Sequence, residues 1–169
     1  MVLWFLGGAL VIVWNVFHDP RFDYRLLMLG AVLPDLIDGP AGGARAMHAV
    51  TTNVAMLVVV MLATIGRRPL RRRLLAVPIG ALLHLVLDGV FADTRVFWWP
   101  FTGTRWPSAR LPSAARGAGL TLLLEAAGLA MLIWAWHRFE LARPDRRHTF
   151  LRTGALVPTV DALTDPSRR

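Results

Sequence analysis

Four ionisable residues, Asp35, His48, His84 and Asp88, lie in or beside otherwise apolar stretches of this 169-residue chain. A titratable side chain inside a membrane-spanning helix is costly unless it is paired or lines a polar cavity, so each marks a candidate site. His84 and Asp88 are spaced i, i+4 in Ala81-Leu82-Leu83-His84-Leu85-Val86-Leu87-Asp88, which puts both on one helical face, close enough to share an ion. The same spacing would equally serve a His–Asp hydrogen bond that fastens helices together. With Glu125 from a later segment, the donors are two imidazoles and two or three carboxylates. That mixture suits Zn²⁺, Mn²⁺ or Fe²⁺ better than Ca²⁺ or Mg²⁺, and zinc is the expected ion. The chain has no cysteine, so thiolate ligation and disulfides are excluded. A zinc ion with an open position lowers the pKa of its bound water to about 7 and makes a hydroxide nucleophile.

The elements that must position these groups are apolar. Hydrophobic residues make up 55% of the chain and charged ones 18%, with a mean hydropathy of +0.48, too apolar for a domain with a charged shell. Apolar runs at about 2–17, 26–37, 48–66, 74–92 and 117–137 predict an all-α, polytopic membrane helix bundle of about five helices. Residues 1–143 form the bundle, and 144–169 read as a solvated, mobile cytoplasmic tail. The first run lacks a basic leader and a small-residue cleavage site, which predicts a retained helix. The second is short and carries Pro34, so it is either a full span or a broken, re-entrant segment.

All nineteen basic residues are Arg, and the net charge is +8. The dense stretch Arg67-Arg68-Pro69-Leu70-Arg71-Arg72-Arg73 predicts a cytoplasmic loop, hence an outside N-terminus and a cytoplasmic C-terminus in a bacterial-type inner membrane. Fourteen of the nineteen then lie inside, which explains the charge without a nucleic-acid partner. Counting from Leu74, His84 lies ~15 Å and Asp88 ~21 Å deep, and Glu125 lies ~12 Å from the outer surface of a core ~30 Å thick. These groups share one level, which Asp35 and His48 can reach from above. His18 and Asp19 fall on the opposite side, and reach the site only if the second helix is re-entrant.

The blocks Gly30-Ala31-Val32-Leu33-Pro34-Asp35-Leu36-Ile37-Asp38, His48, Gly80-Ala81-Leu82-Leu83-His84-Leu85-Val86-Leu87-Asp88 and Phe97-Trp98-Trp99-Pro100-Phe101 resemble the YdjM-like membrane-bound metal-dependent hydrolases, over about residues 26–101. The order Asp, His, His-x-x-x-Asp is also similar to one metal site of the zinc-dependent phospholipase C and single-strand nuclease group. The resemblance implies Asp35, His48, His84 and Asp88 as four ligands of one ion, and phosphoester hydrolysis as the reaction. Gly43 stands where that family often has a second His, and no His precedes His18, so one ion is expected rather than a cluster.

Asp38 is expected behind a ligand or as a general base, and Glu125 as a second proton carrier. Trp98, Trp99 and Trp106 in the outer loop are explained by an interfacial belt. The loop arginines Arg95, Arg105, Arg110 and Arg116 could hold a phosphate by bidentate hydrogen bonds, with Arg95 and Arg105 taken as the substrate contacts. The expected function is a membrane-embedded hydrolase of a lipid or lipid-linked phosphoester. The alternatives are a non-catalytic membrane protein with a structural His/Asp cluster, which predicts no hydrolysis of any lipid phosphate, and a small transporter, against which five short helices and the lack of a repeat argue.

Overall fold

The computed structural model describes residues 1–105 and 116–156. Every regular element among them is helical. Helix α1 (Val2–Phe17) leads through a turn to α2 (Tyr24–Asp38). Two 3₁₀ turns, Gly39–Ala41 and Ala46–His48, precede α3 (Val50–Ala63). Helix α4 (Arg68–Leu74) runs almost directly into α5 (Ala76–Leu87). A 3₁₀ turn and the short α6 (Thr94–Phe97) follow, then α7 (Ala118–Arg138) and α8 (Pro144–Thr153).

Helix α2 is unbroken through Pro34. Proline removes one backbone donor, and the neighbouring helix compensates by packing, so the break that Pro34 allows does not occur. The arginine-rich stretch is also not a loop. Pro69 sits in its first turn, where its missing N–H costs nothing, and arginine is a good helix former, so α4 forms.

Close helix crossings set the frame. Gly30 of α2 and Gly80 of α5 meet where a Cβ on Gly30 would run into the Val77 carbonyl, and one on Gly80 into the Leu27 carbonyl and, at 2.8 Å, the Ala31 nitrogen. A Cβ on Gly128 of α7 would likewise strike the backbone of Leu3 and Trp4 in α1. Small residues that let backbones touch are the usual device for packing apolar helices. Beside these crossings, Phe5, Val13, Trp14, Tyr24, Leu27 and Phe139 form the buried core, with the Trp14 and Phe139 rings edge to face at 4.6 Å.

From Pro144 to Leu156 the chain is largely exposed to solvent, but it is folded and its end is docked. Helix α8 forms, Leu156 is buried, and the Tyr24 N–H donates to the Gly154 carbonyl at 3.0 Å. The remaining tail, 157–169, lies outside the described residues. At the same end Asp23 caps α2 by accepting from the Leu26 N–H, and pairs with Arg25 and Arg73. Burial works to raise this carboxyl, but the Arg25, Leu26 and Arg73 hydrogen bonds outweigh it and hold Asp23 below the usual carboxylate range.

Among the described residues, one helix is long and apolar enough to cross a membrane: α7, with 21 residues, mean hydropathy 1.8 and 11% of its apolar window buried. Helices α1 and α3 are apolar but shorter.

Candidate metal centre

The C-terminal end of α2, the 3₁₀ turn before α3 and the second half of α5 converge at the end of the bundle away from the arginine-rich helix α4. They bring together Asp35, His48 and His84, whose potential ligand atoms all lie within 4.8 Å of one another. Asp35 Oδ1 is 3.4 Å from His48 Nε2 and 3.7 Å from His84 Nε2. Both histidines are completely buried. All three of these atoms are buried with no hydrogen-bond partner. Leaving buried polar atoms unpaired costs roughly 1–3 kcal/mol each. A protonated His48 can pair with Asp35 across 3.4 Å, whereas His84 Nε2 has no such partner and faces the same point.

The far nitrogen of each ring explains its orientation. His48 Nδ1 is 2.8 Å from Asp38 Oδ2, and His84 Nδ1 is 2.8 Å from the Ala31 carbonyl. A carbonyl only accepts, so His84 carries its proton on Nδ1 and presents a lone pair at Nε2; the Asp38 carboxylate favours the same tautomer in His48. This is how metal-ligating histidines are normally held. A tetrahedral zinc with bonds of 2.0–2.2 Å needs donors roughly 3.3–3.5 Å apart, close to the Asp35–His48 separation and a few tenths of an ångström short of the Asp35–His84 one. The three atoms together span up to 4.8 Å, so the two imidazoles would draw closer for this donor set, chemically suited to a divalent transition metal, to hold one.

No protein-family model, curated protein or solved structure matches this chain. What the centre does must be argued from its own geometry.

Asp38 acts on the centre through His48. Its Oδ2 also accepts from the backbone N–H groups of Arg45, Met47 and His48, at 2.8, 3.0 and 3.2 Å, which folds the turn that presents His48. Asn53, which sequence reasoning passed over, is buried in α3 and donates to the carbonyls of Met47 and Ala49. It is the one polar residue in the buried set of an apolar helix, and that signal could have found it. Asp38→Asn keeps the shape but weakens the hold on His48. Metal affinity should fall about 10–100-fold, read by competition with a chromogenic chelator; an unchanged affinity would refute the positioning role.

Asp88 stands apart from the trio. Arg116 Nη1 binds its Oδ1 at 3.1 Å and Nη2 binds its backbone carbonyl at 2.6 Å, while Oδ2 is buried without a partner. Glu125 does not join the centre either. Its Oε2 accepts from the Leu3 N–H, because the first turn of α1 has unsatisfied donors and favours a negative charge. Arg95 and Arg105 are exposed on the segment between α5 and α7, and Arg116 is the arginine of that segment that pairs with Asp88. Arg110 and Trp106 lie outside the described residues. His18 ends α1 at the opposite end, and Asp19 pairs there with Arg72.

Proposed function

We propose that the protein is a polytopic membrane hydrolase in which Asp35, His48 and His84 hold one divalent transition metal, zinc first, and which cleaves a phosphoester of a lipid or lipid-linked substrate. The observation that carries this reading is the convergence of two imidazole lone pairs and a carboxylate oxygen, all buried and unpartnered, on one point. A metal bound there would supply a Lewis acid and an activated water. Asp38 and the Ala31 carbonyl orient the imidazoles. Arg116, partly exposed beside Asp88, supplies a cation for a substrate phosphate. The order of the motifs, similar to that of the YdjM-like hydrolases, points the same way.

The membrane part of the reading is supported by the exterior. Val54, Val58, Val59 and Leu62 of α3, and Leu122, Leu123 and Ile133 of α7, are large, apolar and exposed. So much outward apolar surface suits lipid as the surrounding solvent. Arg21, Arg25 and the arginines of α4 lie at the end away from the metal centre, which supports a reading with the centre toward the outer leaflet and the C-terminus inside. A cysteine replacing Arg71 should react with an impermeant thiol reagent only after the cytoplasmic side is opened; labelling in sealed cells would overturn this orientation.

Detergent-purified protein, stripped with a chelator and assayed on a panel of lipid phosphates and phospholipids, should regain hydrolysis when Zn²⁺ is returned. Metal that rebinds without hydrolysis of any member would sink the catalytic reading and leave a structural metal.

A further inference from the structure

At the arginine-rich end, three segments distant in sequence meet: the turn between α1 and α2, helix α4, and the end of α8. They enclose a groove of about 270 Å³ lined by Arg21, Asp23, Arg72, Arg73, Arg152 and Thr153. Orientation in a membrane requires only that arginines lie on one side; it does not require three segments to converge around a cavity.

The convergence is built by packing. The Tyr24 N–H holds the Gly154 carbonyl, Arg25 holds that of Leu151, and Leu156 is buried, so the end of α8 is pinned beside Asp23. Gly154 has a positive φ of 76°, and a Cβ there would collide with the Asp23 carboxylate. The carboxylates nearby are already shared: Asp19 pairs with Arg72, and Asp23 with Arg25 and Arg73. Arg152 is exposed and has no ion pair among the described residues. Four lining arginines against one lining carboxylate, with Asp19 beside Arg72, leave a cationic groove with uncommitted guanidinium donors.

We propose that this groove binds a phosphate group, borne by an anionic phospholipid headgroup or free as orthophosphate. Guanidinium forks match phosphate oxygens bidentately, and basic groups at the cytoplasmic leaflet attract anionic lipid. Phe150 and Leu151, just before Arg152, line with Leu10, Met28, Leu132 and Trp136 a second, apolar cavity of about 240 Å³ that could take a length of acyl chain. This neighbour favours the lipid source. That source rests on the membrane reading above, whereas the phosphate chemistry does not. The groove is separate from the metal centre, since Asp23 and Asp35 are twelve residues apart along α2, ~18 Å.

The test uses the full chain in neutral detergent. Native mass spectrometry with phosphatidylglycerol and, separately, phosphatidylcholine reads lipid retention, and a thermal melt with and without millimolar orthophosphate reads the free anion. The parent should retain phosphatidylglycerol over phosphatidylcholine, and the R21Q/R152Q variant should lose about tenfold in apparent affinity. An R67Q/R68Q variant, altered at the same end outside the groove, should stay within about twofold. An orthophosphate-dependent rise in Tm in the parent but not in R21Q/R152Q, without lipid retention, assigns the free anion and supports the site. Equal retention by parent and R21Q/R152Q, or equal losses in both variants, overturns it. Both substituted arginines are exposed, and unchanged metal content in R21Q/R152Q confirms that it folds.

Discussion

Asp35→Ala should empty the metal centre: the parent purified in detergent is expected to carry about one transition-metal ion per chain, and the variant less than about a tenth of that. Asp35 is the only anionic donor among the three converging atoms, and its Oδ1 is the one that both imidazoles face. Without it two neutral nitrogens remain, and they cannot offset the cost of moving a divalent cation out of water. His84→Ala should empty the site as completely and also open a space beneath Phe5, whose ring lies 4.1 Å from the imidazole centroid. Metal analysis by mass spectrometry, with a thermal melt beside it, separates two outcomes. A metal-free parent would remove the centre as proposed, and metal retained by Asp35→Ala would place the ion elsewhere.

The largest effect on the fold is expected at Gly80. Even Gly80→Ala puts a Cβ into the Leu27 carbonyl and the backbone of Gly30 and Ala31, and backbone cannot rotate out of the way as a side chain can. Overpacking usually costs about 1–3 kcal/mol, and a clash against two turns of helix belongs at or above the upper end. The variant should accumulate poorly and melt well below the parent. Gly119→Ala is the matched control, because a Cβ there meets nothing within 4 Å, and its melt should be unchanged. Equal melts for Gly80→Ala and the parent would show that the α2–α5 crossing is looser than described.

The helices were legible because apolar runs are long and strongly marked. The run at 2–17 matches Val2–Phe17, and the run at 117–137 nearly matches Ala118–Arg138. The arginine stretch was misread as a loop because charge density signals orientation, while helix propensity and Pro69 decide conformation. The tail was misread because its docking rests on single non-local contacts, Tyr24 with Gly154 and buried Leu156, which leave no periodic trace.

At the site, Asp35, His48 and His84 stood out because titratable groups are rare in apolar runs. Depth counting puts His84 level with Asp88 and Glu125 and lets Asp35 and His48 reach it from above; the structure joins His84 with Asp35 and His48 alone. The i, i+4 spacing puts Asp88 on the face of His84, yet its carboxylate pairs with Arg116, 28 residues away. Glu125 was drawn off by Leu3, 122 residues away. Spacing along one helix predicts which face a group occupies; it says nothing about a competing partner from another helix.

The Gly30–Gly80 contact has a mechanical meaning for the centre above it. Asp35 and His84 each lie four or five residues beyond that contact, on opposite arms of one pair of helices. At that distance, ~7 Å, a change of about 10° in the angle between the arms would move the donors by about 1 Å. The contact is thus a fulcrum, and a modest tilt of α2 against α5 would be enough to change the spacing of Asp35 and His84.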